Sequence, residues 1–320
     1  MAKNDLYQLI DSFPQKEILL IGDTIVDHYT YGTVLGTSAE TPTLVARELR
    51  QNFSLGGACL VCRYFLELKS KVHFFTLVGK DAEAALVRNF SHPKLVLHPF
   101  QDEDRKTTVK RRYWVDGYKL LQFDQLDDRA ISSDVEKQIL AQAESLISSV
   151  SAMILSDYRH GFLTSSLIAK LVALAKQAGK SVFVDSQISQ KQSNHHLYQG
   201  ASLVCLNWKE AKWIDPRLEF PPDFRVLQET LGISNIVLKL GDRGSVASLS
   251  GKTHSSAALS VKVLDTCGAG DAFLAALALS GLEHPEASLQ LANIWAGLST
   301  TVHGPQPPPF ETFMETICTV

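Results

Sequence analysis

A chain of 320 residues with 45% hydrophobic content is long enough for an ample core and for one large α/β unit. Its 31 basic and 34 acidic residues leave a formal charge of −3 and a pI near 6.4. Nothing in that balance attracts phosphodiester backbones or anionic lipid, so neither nucleic acid nor a membrane is an expected partner.

The N-terminal stretch MAKNDLYQLIDSFPQKEILL carries acids and no uninterrupted apolar run, so it does not read as a signal peptide. No run reaches the roughly 18 apolar residues of a membrane span. Five cysteines, an odd number and few for the length, fit a reduced compartment, and the cytoplasm is the expected location. Cys59 and Cys62 form a C-x-x-C, but Cys205, Cys267 and Cys318 stand singly, without the second pair that a zinc ribbon needs. The pair lies in ACLVCRYFLELK, which reads as an amphipathic helix, and small packing residues are the expectation there.

In chain order, short β-rich apolar runs alternate with helical ones. EILLIGD is followed by ACLVCRYFLELK, VHFFTLVG and AEAALVRNF. Then come AMILSD, SSLIAKLVALAKQAG, SVFVDS, SLVCLN, WKEAKWI and NIVLKLG. This alternation predicts βαβ units and a mostly parallel sheet with helices on both faces. Residues 28–48 and 105–123 break the rhythm: both are rich in Thr, Tyr and Val and have no helical period. They predict antiparallel strands forming a small projecting sheet, suited to a lid or a dimer contact. The whole chain, 1–320, is expected to be one domain.

DTCGAGD, residues 265–271, carries the chemistry. A strand-like VKVLD, then TCGAG and the apolar AFLAALALSGL, would place Gly268 and Gly270 at a helix N-terminus. Unpaired N–H groups and the positive helix end favour an anion there, and glycine leaves room for a phosphate. Asp271 beside such a nest is unfavourable unless it works. A general base taking a proton from an attacking hydroxyl is one such job; an ordinary helix N-cap is the alternative. No Walker A run G-x-x-x-x-G-K-[ST] occurs, and Phe273 stands where a dinucleotide fingerprint needs glycine.

DTCGAGD and SLGGA, residues 54–58, together resemble the signature motifs of the ribokinase-like, or PfkB, carbohydrate kinases, and the likeness runs over nearly the whole chain. LLIGDTIVDHYTYG, AETPTLVARE, LVGKD and ILSDYRHG are most similar to kinases acting on heptose 7-phosphate in lipopolysaccharide precursor synthesis, the kinase half of ADP-heptose synthases. The resemblance implies a ribokinase-like fold with a β-sheet lid that often forms a homodimer. It also implies ATP and Mg²⁺, with a monovalent cation as a further candidate, and transfer of the γ-phosphoryl group to a sugar hydroxyl, most simply the anomeric one.

By the same resemblance Asp271 would be the catalytic base, with Gly268, Ala269 and Gly270 forming the anion hole. Asn207 and Glu210, in NWKE, would organise Mg²⁺ through water, although a helix capping box fits the same spacing. Asp23, Asp27, Gly56 and Gly57 would border the sugar, since a carboxylate accepts bonds from several hydroxyls. Lys110 and Arg112, on one face of a strand, would grip a substrate phosphate or simply face solvent. Asp157 and Asp185 would lie near the substrate at strand ends. Asn207, Lys239, Gly241, Gly244 and Thr266 would follow the nucleotide, with Asn293 near its base.

Two positions depart from the heptose kinase pattern. Leu60 replaces an asparagine three residues after the second glycine of the GGA motif, and Ser186-Gln187 replaces Pro-Lys after Asp185. A kinase for another sugar, sugar phosphate or nucleoside is therefore the alternative, and a non-catalytic sugar or nucleotide binder is a third reading. No H-x-G-H nucleotidyltransferase motif is present, so an ADP-sugar product would require a separate enzyme.

Overall fold

The computed structural model describes residues 3–189 and 192–319. The chain opens with α1 (Lys3–Ser12) and β1 (Glu17–Gly22), then extends two long strands, β2 (Thr24–Thr37) and β3 (Leu44–Gly57). It returns through α2 (Ala58–Glu67) and β4 (Lys71–Val78), then α3 (Ala84–Arg88) and β5 (Leu95–Gln101). A hairpin of β6 (Val109–Val115) and β7 (Tyr118–Gln125) leaves the body again before α4 (Ser133–Leu146). Regular alternation follows: β8 (Ala152–Asp157), α5 (Ser165–Gln177), β9 (Ser181–Ser186), β10 (Leu203–Asn207), α6 (Trp208–Ile214), α7 (Phe224–Leu231) and β11 (Ile236–Lys239). The chain ends with β12 (Ser245–Leu249), β13 (Lys252–Ser256), α8 (Ala269–Ser280), α9 (Pro285–Ser299) and α10 (Phe310–Thr319).

Nine strands form the central sheet in the order β13-β12-β11-β10-β9-β8-β1-β4-β5. Neighbours from β5 to β11 are all parallel, and only β12 and β13 join antiparallel. Strand β1 shows why the sheet is covered on both sides. Ile18 and Leu20 enter one apolar layer with α2, α8 and α9, while Leu19 and Ile21 enter the other with α4, α5 and α7. All four side chains are fully buried, as the period of two requires, and each contributes about 1.5–3 kcal/mol by leaving water. From β1 the chain runs first to β4 on one side and later to β8 on the other, and such a reversal opens a crevice at the carboxyl ends of the strands.

The remaining strands make a second sheet, β3-β2-β6-β7. It extends further than residues 28–48 and 105–123, because β2 starts at Thr24 and β3 runs to Gly57. Strand β2 pairs with β6 in parallel, setting Asp27 against Lys110 and Tyr29 against Arg112.

One expected strand is corrected. VKVLD, residues 261–265, is not a strand but an irregular segment, with Leu264 and Asp265 N–H groups donating to the Thr300 carbonyl at 2.8 and 3.1 Å. Val263 and Leu264 are exposed, and β-forming residues without a cross-strand neighbour have nothing to pair with. Cys59 and Cys62 are fully buried in α2, and burial pushes the Cys59 thiol up to about 12, as packing residues require. Among the described residues no helix is long and apolar enough to cross a membrane.

Candidate functional site

Strands β1, β8, β9, β10 and β11 deliver Asp23, Asp157, Asp185, Asn207 and Lys239 to one edge of the sheet, and α8 begins beside them. Helix α8 is rich in Ala and Leu, strong helix formers, and every residue from Ala272 to Ser280 is buried. Its N-cap is Gly268, at φ +84, so the glycine, not Asp271, caps the helix. A Cβ on Gly268 would lie 2.7 Å from Leu60 Cδ2 and 2.9 Å from the Tyr64 hydroxyl. One on Gly270 would meet Lys239 Nζ at 3.2 Å. The loop before the helix is held by the Cys267 N–H donating to Asp265 Oδ1 at 2.9 Å. Among the described residues the Gly268 and Gly270 N–H groups find no acceptor, the condition for an anion site at a helix start.

Asp271 stands in the first turn of α8 and accepts a hydrogen bond from the Tyr158 hydroxyl at 2.7 Å. Its pKa is raised to about 7, chiefly by burial and further by Asp185, while the Tyr158 bond and Lys239 pull the other way. A carboxylate poised near neutrality can take a proton from an alcohol and release it again. Lys239 itself is ion-paired with Asp185; burial opposes its charge, but Asp185 and its other neighbours prevail and raise its pKa.

A cavity of about 620 Å³ opens beside the α8 N-terminus, lined by Asn207, Lys239, Gly241, Gly244, Thr266 and Asn293. Those six are the residues expected along a nucleotide, and the structure gathers all of them. Gly244 is obligatory because a Cβ there would sit 2.1 Å from the Ser256 carbonyl. Asn293 borders the cavity, but its amide donates to Ser245 Oγ at 2.8 Å and to the Leu289 carbonyl at 3.0 Å. It thus ties α9 to β12. Asn207 and Glu210 form the capping box of α6: Asn207 Oδ1 accepts from the Glu210 N–H at 2.9 Å, and Glu210 Oε2 accepts from the Asn207 N–H at 2.8 Å. Burial, reinforced by Asp185, raises the Glu210 pKa to about 7.

The other side of the crevice carries the residues expected around a sugar. Asp23 is buried and accepts from the Tyr158 N–H at 3.0 Å, and burial together with Asp157 raises it to about 7. A Cβ on Gly57, at φ +61, would meet the Asp23 carbonyl at 2.4 Å, and one on Gly56 would meet Asp27 Oδ2 at 2.5 Å. Arg112 is not a free cation: it is ion-paired with Asp27 and lies over the Tyr29 ring. Lys110, two positions earlier on β6 and so on the same face, makes no salt bridge among the described residues. Both sides meet at Cys267, whose thiol pKa is raised by burial and by Asp265, Asp271 and Asp27.

Asp157 is placed differently from a substrate ligand. Its Oδ2 accepts from Ser186 Oγ at 3.1 Å, Asn194 Nδ2 at 2.7 Å and the Tyr198 hydroxyl at 2.7 Å, and Oδ1 accepts from the Arg159 N–H at 2.7 Å. With its acceptor positions occupied, it binds the loops after β8 and β9 together. Leu60 is buried in the core against Gly268, so it supports the anion loop from below. Tyr158 was not singled out from the sequence, although it follows Asp157 in LSDY; its contact with Asp271 spans 113 positions. The apolar cavity wall of Leu259, Val261, Val263 and Ala296 was likewise not legible.

The chain is similar to proteins named bifunctional protein HldE. The protein from Paramagnetospirillum magneticum is 29% identical over 308 residues, covering 92% of this chain and 61% of the relative. The one from Caulobacter vibrioides is 30% identical over 308 residues, covering 92% and 62%. The chain thus spans about three fifths of these relatives' length. Among solved structures, Arabidopsis thaliana ribokinase complexed with ribose and ATP superposes with a TM-score of 0.72 at 18% identity, covering 94% of this chain and 98% of that one. Escherichia coli phosphofructokinase-2 in complex with fructose-6-phosphate gives 0.73 at 18%, covering 95% and 98%. The fold is therefore ribokinase-like. The pfkB family carbohydrate kinase pattern matches residues 15–312, and the chain belongs to that family of phosphotransferases acting on a sugar hydroxyl.

Proposed function

We propose that the protein is an ATP- and magnesium-dependent kinase for the anomeric hydroxyl of heptose 7-phosphate. The observation that carries the transfer chemistry is Asp271, near-neutral in pKa, one residue beyond the Gly268–Gly270 nest with its free N–H groups. Asp271 takes the proton of the attacking hydroxyl, and the N–H groups at the positive end of α8 stabilise charge on the moving phosphoryl group. The Lys239 ammonium stands beside Gly270 for the same purpose, and the apolar cavity wall suits the flat face of a base. Asp23 and Asp27 accept sugar hydroxyls, and Lys110, which makes no salt bridge among the described residues, is a cation for a phosphate at the far end of the acceptor.

Magnesium, when bound, would supply positive charge against the phosphate groups. Asn207 and Glu210 fit as its water-mediated holders, because Asn207 lines the nucleotide cavity and a cation relieves the repulsion between Glu210 and Asp185.

The heptose assignment rests on the sequence resemblance and the HldE relatives. A different acceptor is the second reading, favoured by Leu60 and Gln187. ADP release from Mg-ATP, with and without potassium, should be driven by heptose 7-phosphate and not by fructose 6-phosphate, ribose or adenosine. Preference for another acceptor replaces the heptose reading. Binding of ATP and sugar without turnover replaces the kinase reading with a binding protein.

The second sheet is proposed as a lid and homodimer contact, since Leu49, Phe53, Leu121 and Phe123 are large, apolar and exposed on it. Sedimentation should show a dimer that Leu121→Asp with Phe123→Asp reduces to a monomer.

A further inference from the structure

On the kinase reading above, we propose that Tyr158 is a positioning residue for the general base: its hydroxyl fixes Oδ1 of Asp271 and leaves Oδ2 to the acceptor hydroxyl. The two residues come from distant parts of the chain, the loop that follows β8 and the first turn of α8, joined by a bond of 2.7 Å. The phenol is the donor. Burial and the charge of Asp271 raise its pKa well above the ordinary value, so it keeps its proton wherever the enzyme works.

The aim of that phenol is set by the backbone beneath it. Asp157, just before Tyr158, is locked by Ser186, Asn194 and Tyr198. Arg159, just after it, adopts φ +66, and its N–H donates to Asp157 Oδ1 at 2.7 Å. The Tyr158 N–H donates to Asp23 Oδ2 at 3.0 Å. One residue therefore touches the sugar-side carboxylate through its main chain and the base through its side chain, tying the acceptor's position to that of the group that deprotonates it. An unheld carboxylate would rotate about its last torsion and face the acceptor only part of the time.

The bond has an electrostatic consequence. Asp271 is surrounded by Asp185, Lys239, Tyr158, Tyr64 and Cys267. Among the groups acting on it, Tyr158 and Lys239 favour its charge while burial and Asp185 oppose it. Tyr158→Phe removes the donor but keeps the ring and the main-chain bond to Asp23.

Full-length Tyr158→Phe protein tests this in two ways. In protein labelled at the aspartate carboxyl carbon, the NMR signal of Asp271, identified by its loss in Asp271→Asn, should titrate about one pH unit higher than in the wild type. With the acceptor that the wild type phosphorylates, kcat/KM at pH 7 should fall roughly 10-fold and the acid limb should move up by the same unit, while acceptor KM stays within about 2-fold. Added to Asp271→Asn, the substitution should cost nothing more. An Asp271 titration that does not move in folded Tyr158→Phe protein overturns the assignment whatever the activity. So does a rate loss that is the same at every pH or adds in full to that of Asp271→Asn. The NMR arm needs no turnover, so absence of any phosphorylated acceptor refutes the kinase reading separately.

Discussion

Asp271 and Arg112 approach the crevice from two different kinds of structure. Asp271 stands on α8, whose following residues are all buried between α2 and α9. Arg112 stands on β6, in a sheet whose outer strands β3 and β7 are exposed along most of their length. The buried helix presents N–H groups that nothing else in the described chain uses, whereas the exposed sheet presents a cation already held by Asp27. A preorganised floor of this kind suits the reacting charge, and a lightly held overhang suits recognition and closure. Substitutions in the floor should therefore appear in kcat, and substitutions in the second sheet in acceptor KM.

The largest effect expected is that of Asp271→Asn, a fall in kcat of at least about 10²-fold with little change in KM. Steady-state kinetics would break the comparison if the rate were near normal. Gly268→Ala should follow: it places a side chain at φ +84 against Leu60 and Tyr64, costing about 1–3 kcal/mol in strain and lowering kcat as the N–H groups turn away. A thermal melt beside the kinetics separates the two contributions. Arg112→Ala removes one member of a partly buried ion pair, and acceptor KM should rise roughly 5- to 100-fold, as loss of a charged hydrogen bond predicts. A change confined to kcat would place Arg112 with the floor instead.

Acidity sharpens the same contrast. Asp23, Glu210 and Asp271 have folded pKa values raised to about 7, against roughly 4 when unfolded. Between those limits the folded chain keeps protons that the unfolded chain has lost, so their contribution is full below the unfolded values and is lost as pH rises through about 7. Asp127, Glu136 and Glu17 have lowered values and contribute the opposite trend at acid pH. The melting temperature should therefore peak near about pH 5 and fall toward neutrality. Asp271→Asn should raise it at pH 7.5 by roughly 2–4 °C for each kcal/mol of relieved burial. A melting temperature that rises steadily from pH 5 to 8 would contradict the buried-floor description. The kcat/KM profile should lose activity as pH falls through about 7, because Asp271, proposed as the base, is protonated below that value.

Asn207→Ala should have the smallest effect, about 1 kcal/mol of stability from the lost cap of α6. The magnesium concentration for half-maximal rate decides its second role. A several-fold increase supports the water-mediated site, and no change leaves Asn207 as a cap.

Parallel strands, covering helices and the inserted second sheet were legible because periodicity and strand composition are local properties. The amphipathic α1 and α10, with Leu6, Ile10, Phe313 and Ile317 buried, went unread. VKVLD read as a strand because valine alternation carries no record of whether a partner strand exists. The glycine motif pointed to Asp271 and to the helix start that carries Gly268 and Gly270, and the six residues that line the cavity were singled out by resemblance. Asp157 was assigned to substrate because the sequence does not show Ser186, Asn194 and Tyr198 converging on it.

The sequence by itself determined which residues could do phosphoryl-transfer chemistry and that they lie where strands end and helices begin, since both follow from short motifs and local period. Tertiary structure alone decided which of those groups are free. Folding closed Arg112 onto Asp27 and filled Asp157, yet among the described residues it left Lys110 without a salt bridge and the Gly268 and Gly270 N–H groups without an acceptor. It also brought Tyr158 to Asp271 across 113 positions. Hydrogen-bond capacity belongs to each residue, but its use depends on neighbours that only the packed sheet and helices bring together.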